Sequence, residues 1–320
     1  MPTWGEILQE FAGTATPKGT LDIDGVRRKY RAQMHALTGR NVVVYASDWM
    51  APGSGGPLTS ILLQDMQGLM EVFRSLPGPD LDLILHSPGG DPTAAASLVS
   101  YMRQKYDDVR VFVPLAAMSA ATMWALAGDR IVMGKHSQMG PIDPQLQMPQ
   151  GMVPAAALRR QFEKAQDECA AEPSRLRGWL PTLQQYFPGL LEICADAERL
   201  GRELVAQWLE QYMFRGRPDA HEAAARVAEY FADDRVHVAH SRGITREAVR
   251  SAGVVVEDPE DDAALQDAVL SVHHATMHTL NMTPTAKIVE NHLGRAFLNQ
   301  AQVVNMPFGL IAPPGAPPSP

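Results

Sequence analysis

The sequence predicts an α/β fold on a largely parallel sheet. Two observations carry this. Between residues 41 and 134, short apolar runs alternate with stretches of helical period, the texture of strand–helix–strand crossovers. Within that region one run, LDLILH at 81–86, passes through Ser-Pro-Gly-Gly-Asp straight into an alanine-rich helix. Beyond residue 150 the texture changes to long helices, so the sheet carries an additional helical part.

The elements follow in order. Residues 1–40 read as an amphipathic, charged helical lead-in, and NVVVYAS at 41–47 as a strand. MAPGSGGP at 50–57 is a glycine/proline loop, expected to be mobile. Residues 58–76 carry Leu58, Ile61, Leu62, Met66, Leu69, Val72 and Phe73 at helical spacing, predicting a helix. LDLIL is the next strand. A helix over 92–105 follows, with Asp91 as its cap and Pro92 at its start. Strands at 109–115 and 130–134 flank a helix over 119–128.

Long helices are expected over 154–171 and 189–214. The second aligns Ile193, Ala197, Leu200, Leu204, Trp208 and Tyr212 in a stripe, either packed on its own domain or used as an oligomerisation arm. A helix over 221–234 follows. Thr245 caps a further helix that ends at Gly253 before a short strand, and 260–280 is helical. KIVENHLGRAF reads as helical, with Asn291 and His292 a polar pair on its surface, and the proline-rich tail MPFGLIAPPGAPPSP as disordered. The organisation expected is a lead-in (1–40), a main domain (41–300) with a helical arm inserted at about 154–235, and a tail (301–320).

The totals bound the function. A chain of 320 residues with 45% hydrophobic content can bury a sizeable core. With 28 basic against 36 acidic residues and no basic block, nucleic acid is not the expected partner. Cys169 and Cys194 have neither metal-like spacing nor a disulfide framework, which fits a reducing, cytoplasmic compartment. The N-terminus lacks a signal-peptide pattern, and residues 111–128 read better as a strand plus buried helix than as a membrane span. No HExxH, paired-cysteine motif or Walker lysine occurs, so neither metal nor cofactor is expected.

Two segments carry chemistry. At the SPGG turn a strand end feeds a helix, and Gly89 and Gly90 either serve the turn alone or bare their amides to a negative oxygen. At PLAAMSAATMW, Ala116, Ala117, Ala120 and Ala121 clear the space around Ser119. That serine is either a helix cap or a nucleophile. Ser119 and Gly90 lie on successive crossovers, and parallel crossovers bring adjacent strand ends together.

DLILHSPGGD, AAMSAATMWALAGDRIVMGKHSQMGPIDPQ and KIVENHLGRAF together resemble the serine dehydrogenase proteinase family, Clp-fold serine proteinases related to the ClpP and SppA peptidases. The likeness runs over roughly residues 25–300. It implies a ClpP/crotonase-type spiral of strand–strand–helix units. It further implies Ser119 as nucleophile, the amides of Gly90 and Ala120 as oxyanion-hole donors, and Gly89 as the residue shaping the turn.

The base is left open by the resemblance. Where ClpP-like enzymes place a histidine this chain reads GPIDP, with Asp143; where they place the aspartate it reads VAHSRGIT, with His240. SppA-like enzymes use a lysine, for which Lys164 is the candidate. His240 ranks first on its titration range and its place before a capped helix. Lys164 would need a desolvated pocket. His136 and Asp143 complete the set, Asp143 being better suited to orient than to abstract a proton. The expected function is an ATP-independent serine endopeptidase acting on peptides or unfolded proteins, assembled as a homo-oligomeric ring or stacked dimers. Its competitors are a catalytically silent Clp-fold scaffold and a crotonase-like acyl-CoA enzyme.

Overall fold

The computed structural model describes residues 2–15, 19–51, 56–149 and 151–300. Half of the predicted 50–57 loop (52–55) and the whole of the predicted tail at 301–320 lie outside the described residues. The chain opens with α1 (Trp4–Gly13), α2 (Ile23–Thr38), β1 (Asn41–Ser47), α3 (Asp65–Phe73), β2 (Asp80–His86) and α4 (Pro92–Lys105). It continues through β3 (Asp108–Val113), β4 (Ala116–Ala117), α5 (Ala120–Leu126), β5 (Arg130–Met133) and β6 (Gln138–Met139). The hairpin β7 (Gln145–Met148) and β8 (Gly151–Pro154) leads into α6 (Ala155–Ala171), α7 (Leu176–Leu183), α8 (Leu190–Gln211), α9 (Ala220–Ala232) and α10 (Asp234–His237). The chain then returns through β9 (Ile244–Thr245), α11 (Arg246–Ser251), β10 (Val256–Glu257), α12 (Ala263–Met282), β11 (Thr285–Asn291) and β12 (Ala296–Gln300).

A seven-stranded sheet runs in the order β10-β5-β3-β2-β1-β11-β12, and β4-β6-β9 form a small second sheet. The strands from β10 to β1 are mutually parallel, while β11 joins β1 antiparallel. Each turn of the chain gives one strand to the large sheet, one short segment to the small sheet and then a helix. β2, Ser87 and α4 make one turn; β3, β4 and α5 make the next, and the bridge from Ser87 to Ala117 joins them. β5 and β6 begin a third, which the helical arm interrupts before β9 and α11. This is the spiral of ββα units expected.

Side chains alternate across a strand, and β1 shows the result. Val43 and Tyr45 point into the core under α3, α4, α5, α8 and α9, while Val42, Val44 and Ala46 pack with Ile7, Phe11, Val26 and Met34 of α1 and α2. Both faces of β1 are therefore buried, as a parallel sheet requires. The two N-terminal helices form part of the second layer. The stripe on α8 divides: Leu204 and Trp208 join the main core, whereas Ile193 remains exposed.

Two elements differ from expectation. The predicted helix over 58–76 is helical only over Asp65–Phe73. Ile61 instead uses its backbone to pair with the Gly89–Gly90 turn, its N–H donating to Gly89 O at 2.7 Å and its carbonyl accepting from Asp91 N at 3.0 Å. KIVENHLGRAF is not helical either. It is the end of β11 and the turn into β12, and Asn291 and His292 are buried rather than surface groups. Asn291 Nδ2 donates to Val72 O at 2.6 Å, and its Oδ1 accepts from the amides of Leu293 and Arg295. Residues 111–128 form a strand and a fully buried helix, and among the described residues no helix is long and apolar enough to cross a membrane.

Candidate active site

The site is assembled from the ends of β2 and β4. β2 delivers His86, which is buried; its Nδ1 lies 3.1 Å from Ala116 O, while its Nε2 has no hydrogen-bond partner among the described residues. Burial lowers its pKa to about 4, so the ring is neutral near pH 7. The SPGG turn follows. Gly89 (φ 93°) and Gly90 (φ 152°) both lie in the positive-φ range that side chains disfavour. A Cβ on Gly89 would sit 2.5 Å from Met118 O and 2.8 Å from both Ala120 N and Ser119 Cβ, so the turn lies directly against the serine segment. A Cβ on Gly90 would overlap the backbone N and O of Ile61. The pairing with Ile61 uses the Gly89 carbonyl and the Asp91 amide, leaving the Gly90 N–H outside it.

Ser119 joins β4 to α5 with φ 51° and ψ −121°, a strained conformation for a residue with a side chain. Its hydroxyl makes no capping hydrogen bond, so the helix-cap alternative does not hold. The neighbours fix this elbow. Met118 N donates to Ser87 O at 3.0 Å, and Thr122 Oγ1 donates to Ala117 O at 2.7 Å and accepts from Gly140 N at 3.0 Å. Ala120 opens α5, so its N–H is one of the first-turn amides that have no acceptor within the helix.

Gly89, Gly90, Ser119, Ala120 and His240 share the lining of one cavity of about 620 Å³. Its other walls are largely apolar, with Met123, Ile142, Leu146, Met152, Ala197 and Gly201 contributing. Just behind the wall, Asp143 is 4% exposed, and its Oδ1 lies 2.7 Å from Nδ1 of His240. The second oxygen, Oδ2, accepts from Gln145 Nε2 at 2.6 Å. A carboxylate facing Nδ1 fixes the proton there and leaves Nε2 as the basic nitrogen.

The other candidates lie elsewhere. Lys164, on α6, is 68% exposed and 4.0 Å from Glu168 one helical turn on, and it is not among the residues lining the cavity. His136 is an exposed residue in the turn after β5, set against Gly134, and it too is absent from that lining. Neither the Asp143–His240 pairing, whose partners stand 97 residues apart, nor the positive φ of Ser119 is legible in the local sequence. The GPIDP and VAHSRGIT segments are the nearest signals of the pairing. Among the described residues no group of three His, Cys, Asp or Glu side chains is placed to hold a metal ion.

The spiral of ββα turns, with a glycine turn and a serine elbow on successive crossovers, is a ClpP-like fold. Residues 57–172 match the model of the ClpP-like SDH-type serine proteinases. That stretch contains Gly89, Gly90, Ser119, Ala120 and Asp143; His240 lies beyond it. Two uncharacterized proteins of Methanocaldococcus jannaschii are similar. MJ0137 is 36% identical over 110 residues, covering 34% of this chain and 38% of that protein. MJ1495 is 34% identical over 113 residues, covering 34% and 37%. The chain thus matches little more than a third of the length of these relatives. Among solved structures, two mutant forms of the 1510-N membrane-bound stomatin-specific protease are similar, the second in complex with a substrate peptide. The first has a TM-score of 0.32 and 20% identity over 55% of this chain and 63% of that one; the second has 0.34 and 21% over 55% and 60%.

Proposed function

We propose that the protein is a serine endopeptidase that cleaves peptide bonds through an acyl-enzyme on Ser119. The observation that carries this reading is the Asp143–His240 pair at the cavity whose lining also holds the strained Ser119 elbow, Gly90 and Ala120. Ser119 Oγ attacks the scissile carbonyl carbon while Nε2 of His240 takes its proton. The carbonyl oxygen becomes an oxyanion, which the two amides receive. The C–N bond then breaks, the imidazolium returns the proton to the leaving amine, and water hydrolyses the ester by the same relay. Asp143 holds the Nδ1 proton and stabilises the imidazolium. This triad has the ClpP roles with the chain positions of histidine and aspartate exchanged. Labelling with a fluorophosphonate probe tests the reading: wild type should react and Ser119→Ala should not. A folded wild-type protein that fails to react would favour the silent scaffold, or a crotonase-like enzyme if CoA thioesters bind.

The apolar walls support a large apolar substrate side chain beside the scissile bond. Gly201 of α8 contributes one wall, and a Cβ placed there meets only Ile142 O, outside its own helix, at an unstrained 3.8 Å. Gly201→Leu is expected to raise KM about tenfold for peptides with Leu or Phe at that position and to spare those with Ala. Leucine exceeds glycine in helix propensity by roughly 1 kcal/mol, so the melting temperature should not fall. Equal losses across the peptide series would show that Gly201 does not shape the substrate pocket.

The glycine turn allows a sharper check of the oxyanion hole. Gly89→Ala adds a methyl against Met118 O and Ser119 Cβ at a φ that costs a side chain roughly 1–3 kcal/mol. The expected outcome is a lowered melting temperature and a fluorophosphonate rate reduced at least tenfold. A wild-type rate would show that the turn does not set the geometry around Ser119.

A further inference from the structure

A buried ion pair lies behind the glycine turn. Lys287 of β11 and Asp65 of α3 are both fully buried, with Nζ 2.7 and 2.8 Å from the two carboxylate oxygens. The pair is fully bonded. Tyr45 Oη donates to Asp65 Oδ2 at 2.7 Å, Leu62 N donates to the same oxygen at 2.9 Å, and Lys287 Nζ donates to Ser60 O at 2.6 Å. Burial works against the charge on Lys287, and the Asp65 carboxylate opposes that effect.

Buried ion pairs are often no more stabilising than apolar side chains of similar volume, so stability alone is a weak account of these charges. What the pair contacts does. Ser60 and Leu62 flank Ile61, whose backbone N–H and carbonyl are the two groups that hold the glycine turn. Lys287 fixes the carbonyl on one side of Ile61, and Asp65 fixes the amide on the other. The Gly90 backbone is pressed so closely on Ile61 that no Cβ fits between them. A shift of Ile61 therefore moves Gly90. Ser60 itself reaches the cavity lining.

We infer that Lys287 and Asp65 are positioning residues that set the Gly90 amide for the oxyanion by clamping the Ser60–Leu62 segment against the SPGG turn. This rests on the serine peptidase reading above. The pair touches no reacting atom, and its effect passes through Ile61.

The test compares Lys287→Met, Lys287→Arg and the double variant Lys287→Met/Asp65→Leu, which leaves no unpaired charge to unfold the core. Peptide hydrolysis gives kcat and KM, and fluorophosphonate gives the rate of reaction at Ser119. In the folded double variant, kcat and the labelling rate should fall at least tenfold, with KM within about twofold of wild type, because the amide acts on the oxyanion and not on the bound peptide. Lys287→Arg, which keeps the charge and the donors, should recover part of the loss. A double variant that folds and reacts like wild type would overturn the inference alone, as would equal changes in kcat and KM. If none of the three variants folds, the pair is a requirement of folding, and the positioning role falls. If wild type itself does not react, the serine reading fails first and takes this inference with it.

Discussion

Ser119→Ala should abolish peptide cleavage, lowering kcat/KM on the order of 10⁴-fold or more, while the protein remains folded. The size follows from the mechanism. Without Oγ there is no acyl-enzyme, and the remaining acceleration comes only from substrate binding and the amides of Gly90 and Ala120. The fold should survive because the hydroxyl makes no capping hydrogen bond, and the elbow is held by groups that the substitution leaves in place: Met118 N on Ser87 O, and Thr122 between Ala117 and Gly140. The strained φ of 51° burdens alanine much as it does serine. The measurement is hydrolysis of a fluorogenic peptide with an apolar residue before the scissile bond, beside a thermal melt of both proteins. Unchanged cleavage by the purified variant would sink the serine mechanism.

The sequence reveals the strands well because burial on both faces leaves near-continuous apolar runs. NVVVYAS and β1 have the same bounds, and the helix over 92–105 matches α4, since Asp91 and Pro92 mark its start by local chemistry. The errors share one cause. Ile61 sits in a helical pattern, yet its backbone is taken by a turn nearly thirty residues away. Lys287, Glu290 and Asn291 make β11 look like an exposed helix, yet each is buried against distant partners: Asp65, the guanidinium groups of Arg27 and Arg31, and the carbonyl of Val72. A polar residue satisfied across more than 200 positions of sequence is indistinguishable, locally, from one facing water.

The site divides the same way. Glycine pairs and small residues around a serine are local features, so the two crossover segments could be read directly. The proton relay is not local. Asp143 lies in the loop after β6 and His240 in the segment before β9, and it is the pairing of those two strands that brings their loops together. Met139 pairs with Ile244, four residues from each partner of the relay. The arm from α6 to α10 occupies the interval, so the long insertion separates the two residues in sequence without separating them in space.

That arrangement gives the second large effect. Asp143→Asn should lower kcat about 10³- to 10⁴-fold with little change in KM, the loss expected when a relay histidine is held in the wrong tautomer. The tautomer is set by Gln145 as long as its amide keeps its wild-type orientation. Its Nε2 donates to Asp143 Oδ2, and with that donor in place the asparagine amide turns its oxygen toward Gln145 and its NH₂ toward His240. Nδ1 must then accept, the ring proton moves to Nε2, and no lone pair is left to take the Ser119 proton. Removing the competing donor should relax the constraint: in Asp143→Asn/Gln145→Ala the amide can rotate, its oxygen can accept from Nδ1–H, and tenfold or more of the activity should return. His240→Ala should lose as much as Asp143→Asn, and Lys164→Ala should stay within about twofold of wild type, its ammonium being exposed beside Glu168. Peptide hydrolysis across the four variants decides the outcome. If Asp143→Asn keeps wild-type kcat, or if Lys164→Ala is the variant that fails, the base is not His240, and the pair at 2.7 Å is a structural contact.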